Sequence, residues 1–329
     1  MGKIKDIFLW VYWYPFRLFI QKIPPVYAYS MAKMFALFLY YVSIKKRAGL
    51  EKEFSYFQKK AVGLGTRNVI INALTVLCRN EMDVLLFSEL NRETIGSFVG
   101  CAGIEYLDNA LAKGKGVMLL FAHFGANQMI MPAVGYRGYT MSQMSAPPTV
   151  WVKKLPNKKF SRMERRVLEL RWAQELSLPV SHLNIFGFLK DVFLCLKRNE
   201  ILGIAIDGGG GKSTVAVDFL GRKALFPTGA VEIAMKTGCA VLPTFIVRGK
   251  DGRQTMIVEP PLSIMTGGDH AVESNTSAFV KRLEEYIYKY PCHYLNFLSL
   301  RTFMEEQGNM PFFVKRNNYE SITGKTTVS

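Results

Sequence analysis

One histidine stands where a proton could be moved. His123 follows directly on the apolar run GVMLLFA (116–122) and opens the hexapeptide HFGANQ. An apolar run of that length reads as a buried strand, and open α/β sheets carry their working groups at the carboxyl ends of strands. An imidazole titrates near neutrality, so at such a position it can take the proton of an attacking hydroxyl or amine. Gly125 permits the tight strand-to-helix turn that would present the ring. The alternative is a histidine satisfied inside the core, and strand-end position alone leaves both open.

Other chemistries find less support. The remaining histidines, at 182, 270 and 293, and the five cysteines, Cys78, Cys101, Cys195, Cys239 and Cys292, are scattered and never form a CxxC pair. Neither a disulfide framework nor a zinc site is indicated, so no metal or cofactor and a reducing compartment are expected. The stretch GGGGKST (208–214) suggests a phosphate-cradling loop at first sight. That template needs glycine at 206, where the chain has Ile206, and a helix after Lys212, where it has the strand-like TVAVDF. Asp207, immediately before these glycines, has ordinary turn chemistry as its bland reading.

The elements that would position His123 follow from periodicity. Strands are expected at 116–122, 137–143, 200–206, 214–219, 239–248 and 254–259. Helices are expected near 67–79, 82–91, 105–113, 157–176, 185–197, 228–237 and 276–289. Strands separated by helix-length segments predict an α/β fold: a single domain with a mostly parallel central sheet flanked by helices, over 51–313. Residues 314–329 are polar without an apolar face, which predicts a flexible tail.

Residues 1–50 differ in character. The aromatic-rich runs at 7–20 and 26–44 are interrupted by Pro15, Arg17 and Lys33, so neither is the clean stretch of roughly 20 apolar residues a spanning helix needs. Trp10, Tyr12, Trp13 and Tyr14 suit headgroup depth, and Lys3, Lys5, Lys22, Lys45, Lys46 and Arg47 supply cationic flanks. A membrane-interface helical segment is expected, against a hairpin that merely covers the core. The start MGKIKD lacks the pattern for myristoylation, and no small-residue cleavage site follows the first run. The net charge of +16, from 42 Lys+Arg against 26 Asp+Glu, implies an anionic partner. Nucleic acid is disfavoured, because the aromatics gather in apolar runs and not among basic patches.

HFGANQ resembles the H-x4-D/E motif of the lysophospholipid acyltransferase superfamily, most closely its lipid A biosynthesis (lauroyl/myristoyl) branch. The stretch 205–262 is similar to that branch throughout: Asp207 matches the Asp of its D-Q element, Phe219-Leu220-Gly221 its F-F-G-like turn, and Phe226-Pro227-Thr228-Gly229 the lead into a helix. Pro243, Arg248 and Pro260-Pro261 fall on the pattern too. The resemblance implies acyl transfer from a thioester, with acyl carrier protein as the expected donor and a lipid hydroxyl or amine as acceptor, at the cytoplasmic face of the inner membrane. It implies His123 as base, position 128 as the carboxylate that orients it, Asp207 and Arg171 as further catalytic residues, and Phe124, Gly125, Asn127 and Gly208 as substrate contacts, with Arg166 in reserve for Arg171.

Two departures stand out. Position 128 is Gln, which keeps a hydrogen-bonding arm and deletes the charge. Gln128 is then an introduced substitution, or another residue does its work, or the chain is an inert membrane-bound binding protein that kept the fold. The late P-E-Q-W element is replaced by Pro291-Cys292-His293-Tyr294, and D-Q by Asp207-Gly208, which opens the acceptor's identity.

Overall fold

The computed structural model describes residues 2–314 except 62, 64, 156–158, 210–212 and 250. Strands are β1 (Val99–Ala102), β2 (Val117–Phe121), β3 (Met141–Ser145), β4 (Ser181–Asn184), β5 (Ile201–Ala205), β6 (Thr214–Phe219), β7 (Arg222–Pro227), β8 (Ala240–Arg248) and β9 (Gln254–Val258). Helices are α1 (Gly2–Val11), α2 (Arg17–Lys22), α3 (Pro25–Val42), α4 (Ile44–Ser55), α5 (Thr66–Leu86), α6 (Ile95–Phe98) and α7 (Ile104–Leu111). They continue as α8 (Ile130–Gly135), α9 (Val150–Lys154), α10 (Arg162–Leu176), α11 (Lys190–Lys197), α12 (Gly229–Thr237), α13 (Ala271–Lys289) and α14 (Leu295–Glu306).

A seven-stranded sheet runs β1-β9-β8-β2-β5-β3-β4, parallel at every pairing except β8–β9. The sequence VMLLF of β2 has no polar alternation because all five residues are buried, as a central strand covered on both faces requires. Each such side chain contributes roughly 1.5–3 kcal/mol of burial. The expected α/β class and mostly parallel sheet are found. One expected strand, 214–219, lies outside that sheet: β6 pairs antiparallel with β7 in a separate hairpin. Its turn, Leu220-Gly221, has positive φ at both positions, the twist a two-residue hairpin demands.

The expected helices at 67–79 and 82–91 are one helix, α5. Of the polar residues at the expected break, Arg79 and Asp83 are buried: Asp83 forms an ion pair with Arg248 and accepts from Tyr29 at 2.6 Å. Strand 137–143 begins late, at Met141, because the chain is still turning at Gly138 with φ +94°.

The N-terminal segment has two faces. Trp13, Ile20, Ala28, Ala32 and Ala36 are buried, and the small side chains at 28, 32 and 36 let α3 lie close on α5. The opposite face exposes Ile4, Phe8, Trp10, Phe19, Met34 and Phe38. No helix among the described residues is long and apolar enough to cross a membrane. Val314 donates to the carbonyl of Lys223 at 2.9 Å, and the rest of the expected tail, 315–329, lies outside the described residues.

Candidate active site

Strand register brings the first two site residues together. Phe121 of β2 is paired with Ala205 of β5, and each chain runs two residues further, to His123 and Asp207. Asp207 is fully buried and accepts three hydrogen bonds: from the His123 backbone N–H at 2.8 Å, from His123 Nδ1 at 2.7 Å, and from the Tyr294 hydroxyl at 2.9 Å. A carboxylate so held keeps the proton on Nδ1 and leaves Nε2 as the base.

The ring is fixed on its face as well. Phe297 of α14 stacks on it with centroids 4.7 Å apart and planes at 4°. The His123 side chain is nonetheless 42% accessible, so the ring can be reached from outside the protein. Burial pulls its pKa down, but the charge and hydrogen bond of Asp207 outweigh that and hold it above 6.5, with Arg301 acting the other way.

The turn after His123 is built for close approach. Gly125 has φ +60°, and a Cβ there would come within 2.0 Å of the Ile246 carbonyl oxygen. Its N–H donates to the carbonyl of His293 at 3.0 Å, and its own carbonyl accepts from Asn80 at 2.7 Å. His293, buried, accepts from the Arg248 backbone N–H at 2.9 Å and stacks on Phe124 at 5.2 Å. Desolvation and the Arg248 charge push the His293 imidazole down to about 3. Phe124 is therefore enclosed by aromatic rings and buried, not exposed to a substrate.

Gln128 lies one turn further on and does not touch His123 through a hydrogen bond; its Nε2 donates to Glu175 Oε1 at 3.2 Å. Asn127 opens the same short turn, half-buried. Arg171 is ion-paired with Glu81, and Arg166 is exposed and paired with Glu169 at 2.9 Å. Arg166 lines a groove of about 700 Å³ with Asp6, Arg162, Met163, Arg165 and Glu169, a setting none of whose residues is shared with the histidine. Gly208 follows Asp207, and Gly209 packs against Arg301, whose Nη1 would lie 2.6 Å from a Cβ at that position.

Three residues of this arrangement escaped sequence reasoning: Tyr294, Phe297 and Arg301, all reaching the site from the segment after Pro291. The backbone amides of His123, Phe124 and Gly125 are already engaged, to Asp207, Ala122 and His293. Backbone donors from those positions are thus committed elsewhere, while the Arg301 guanidinium stands beside the Asp207-Gly208-Gly209 loop with its Nε lacking a hydrogen-bond partner among the described residues.

Comparison of the whole sequence with known proteins gives the family. Residues 10–301 match the family model for bacterial lipid A biosynthesis acyltransferases. The chain belongs to that family. Among curated relatives, a phosphatidylinositol mannoside acyltransferase of Mycobacterium tuberculosis (strain CDC 1551 / Oshkosh) is 28% identical over 193 residues, 57% of this chain and 55% of the relative. One of strain ATCC 25618 / H37Rv is 27% identical over the same shares. The chain spans about half the length of the curated relatives it matches.

Proposed function

We propose that this chain is an acyltransferase that moves an acyl group from a thioester to a hydroxyl or amine of a lipid-like acceptor at a membrane surface. The observation that carries the reading is the His123–Asp207 pair, held at 2.7 Å through Nδ1 while the histidine side chain stays accessible. Nε2 takes the acceptor's proton as its oxygen or nitrogen attacks the thioester carbonyl, and the tetrahedral intermediate collapses with the proton passing to the departing thiolate. Asp207 holds the tautomer and stabilises the imidazolium, and Arg301 is the group whose charge suits the oxyanion. A histidine retained with its buried carboxylate also favours an enzyme over an inert binding protein.

A lipid-like acceptor is supported by family membership and by the exposed aromatic face of α1 to α3, which suits insertion at headgroup depth with the flanking lysines on anionic lipid. The expected thioester is on acyl carrier protein, an acidic partner that the +16 charge would attract, and the expected place is the cytoplasmic face of the inner membrane. The test is acyl transfer from an acyl thioester to lipid acceptors, read by mass spectrometry. Wild type is expected to form the acylated product and His123→Ala to form none; equal product from both would overturn the reading.

A further inference from the structure

We propose that Glu175, on the last turn of α10, supplies the acceptor-side carboxylate that the H-x4-D/E pattern would place at 128, and that Gln128 aims it. The inference rests on the acyltransferase reading above and assigns a positioning residue to the same site.

The carboxylate facing His123 is not in question, because Asp207 takes Nδ1. An acid at 128 therefore has no imidazole left to orient, and the role open to that position is toward the acceptor. The Gln128 side chain reaches across to α10 and donates to Glu175 Oε1 at 3.2 Å, so the missing charge sits one side chain further along the same line. Glu175 is 8% exposed and has no ion pair of its own among the described residues. Arg171, one turn earlier on the same helix, is committed to Glu81, and His182 reaches only the Glu175 backbone carbonyl, at 3.2 Å, with its other nitrogen on Ser145. Burial accordingly pushes the Glu175 carboxyl up to about 7, with Arg171 only partly opposing. A buried carboxyl held by one neutral amide retains capacity for a further donor.

An unsatisfied group marks the same cluster. The Tyr12 hydroxyl, on the N-terminal segment, is buried with no hydrogen-bond partner among the described residues and lies in the field of Glu81 and Arg171. The polar cluster of Gln128, Glu175, Arg171, Glu81 and Tyr12 thus joins the turn after His123 to the segment whose other face is apolar. A hydroxyl or amine that donates to Glu175 would be held on the side from which a membrane-borne acceptor arrives.

Charge transposition tests this. The probes are decanoyl coenzyme A as donor, with octyl glucoside as hydroxyl acceptor and octylamine as amine acceptor; thiol release and acylated product are both measured, and thermal unfolding reports the fold. Glu175→Gln is expected to lower kcat/KM for the acceptor by about tenfold or more, the worth of a hydrogen bond to a charged group, with the donor KM unchanged. Gln128→Glu alone is expected to lose activity similarly, because it sets two carboxylates in contact. Gln128→Glu combined with Glu175→Gln restores one charge and one amide and is expected to return to within about threefold of wild type. Which acceptor responds identifies the donor group that Glu175 holds. A Glu175→Gln enzyme with wild-type acceptor kinetics, a Gln128→Glu enzyme more active than wild type, or a double variant no better than the singles each overturns the inference while His123-dependent transfer leaves the acyltransferase reading standing. Transfer that survives His123→Ala overturns both.

Discussion

Replacing Asp207 with Asn tests the geometry of the pair most sharply, because the structure dictates which way the amide must turn. Asp207 Oδ2 accepts from two donors, the His123 backbone N–H at 2.8 Å and the Tyr294 hydroxyl at 2.9 Å, while Oδ1 accepts from Nδ1 at 2.7 Å. An asparagine has one oxygen, and two donors hold it at the Oδ2 position, so its NH2 faces Nδ1. Nδ1 must then accept, the ring proton moves to Nε2, and the base is lost. The same tautomer inversion in a serine protease lowers kcat by about 10⁴, and a loss of about 10³- to 10⁴-fold is expected here. The pH profile carries a second signature. The wild-type His123 pKa lies above 6.5, so kcat/KM falls as pH drops through that raised value and the base becomes protonated. Without the carboxylate, burial and Arg301 remain, and both lower the pKa, so the acid limb of the residual activity moves to lower pH. The assay is acyl transfer from decanoyl coenzyme A between pH 5 and 9, with circular dichroism as the check on folding. An Asp207→Asn enzyme within threefold of wild type, or one whose acid limb stays in place, refutes the reasoning.

Arg301→Gln is expected to lower kcat by about 10- to 100-fold, as loss of an oxyanion donor does, and to move the acid limb upward, since the cation lowers the His123 pKa; a stopped-flow or thiol-release profile reads both. His293 is held near 3 in the fold against 6.5 when unfolded, so the unfolded chain takes up the proton first. Its contribution is full above pH 6.5 and is lost as pH falls toward 3, amounting to about 2 kcal/mol by pH 5. Urea midpoints across that range check the slope, which should flatten in His293→Gln. Phe8→Asp with Trp10→Asp changes two exposed side chains and is expected to leave the unfolding temperature unaltered while lowering partition to phosphatidylglycerol vesicles by roughly tenfold or more, measured by flotation.

The frame of the fold was legible because its strands are apolar runs cut off by turn residues. GVMLLFA, EILGIAI and CAVLPTFIVR each gave a strand within a residue or two, and the class followed from their alternation with helices. What failed was local: β1, β4 and β7 are short or partly polar, VGCA, SHLN and RKALFP, and only pairing with β9, β3 and β6 makes them strands. In α5 the polar stretch Arg79 to Asp83 breaks the apolar period, and partners about 170 residues away, Arg248 and Gln254, explain why Asp83 is buried.

At the site, His123 was readable from position, since a strand end is visible in one dimension. Asp207 came only through the resemblance, because the register of β2 on β5 is a long-range fact. Tyr294 and Arg301 carry no local signal beyond the altered late motif, Pro291 to Tyr294, whose departure hid that this segment closes over Asp207. Gln128 looked like a simple loss of charge for the same reason: Glu175, which it contacts, is 47 residues away.

The central claim is an accessible imidazole with its proton on Nδ1 and its lone pair on Nε2. With four histidines in the chain, ¹⁵N-histidine spectra titrated from pH 4 to 9, assigned by His123→Ala, read tautomer and pKa together. The Nδ1–H form with a midpoint above 6.5, falling in Asp207→Asn, is the expected result. An Nε2–H ring, or a His123 that titrates below 6.5 in the wild type, contradicts it.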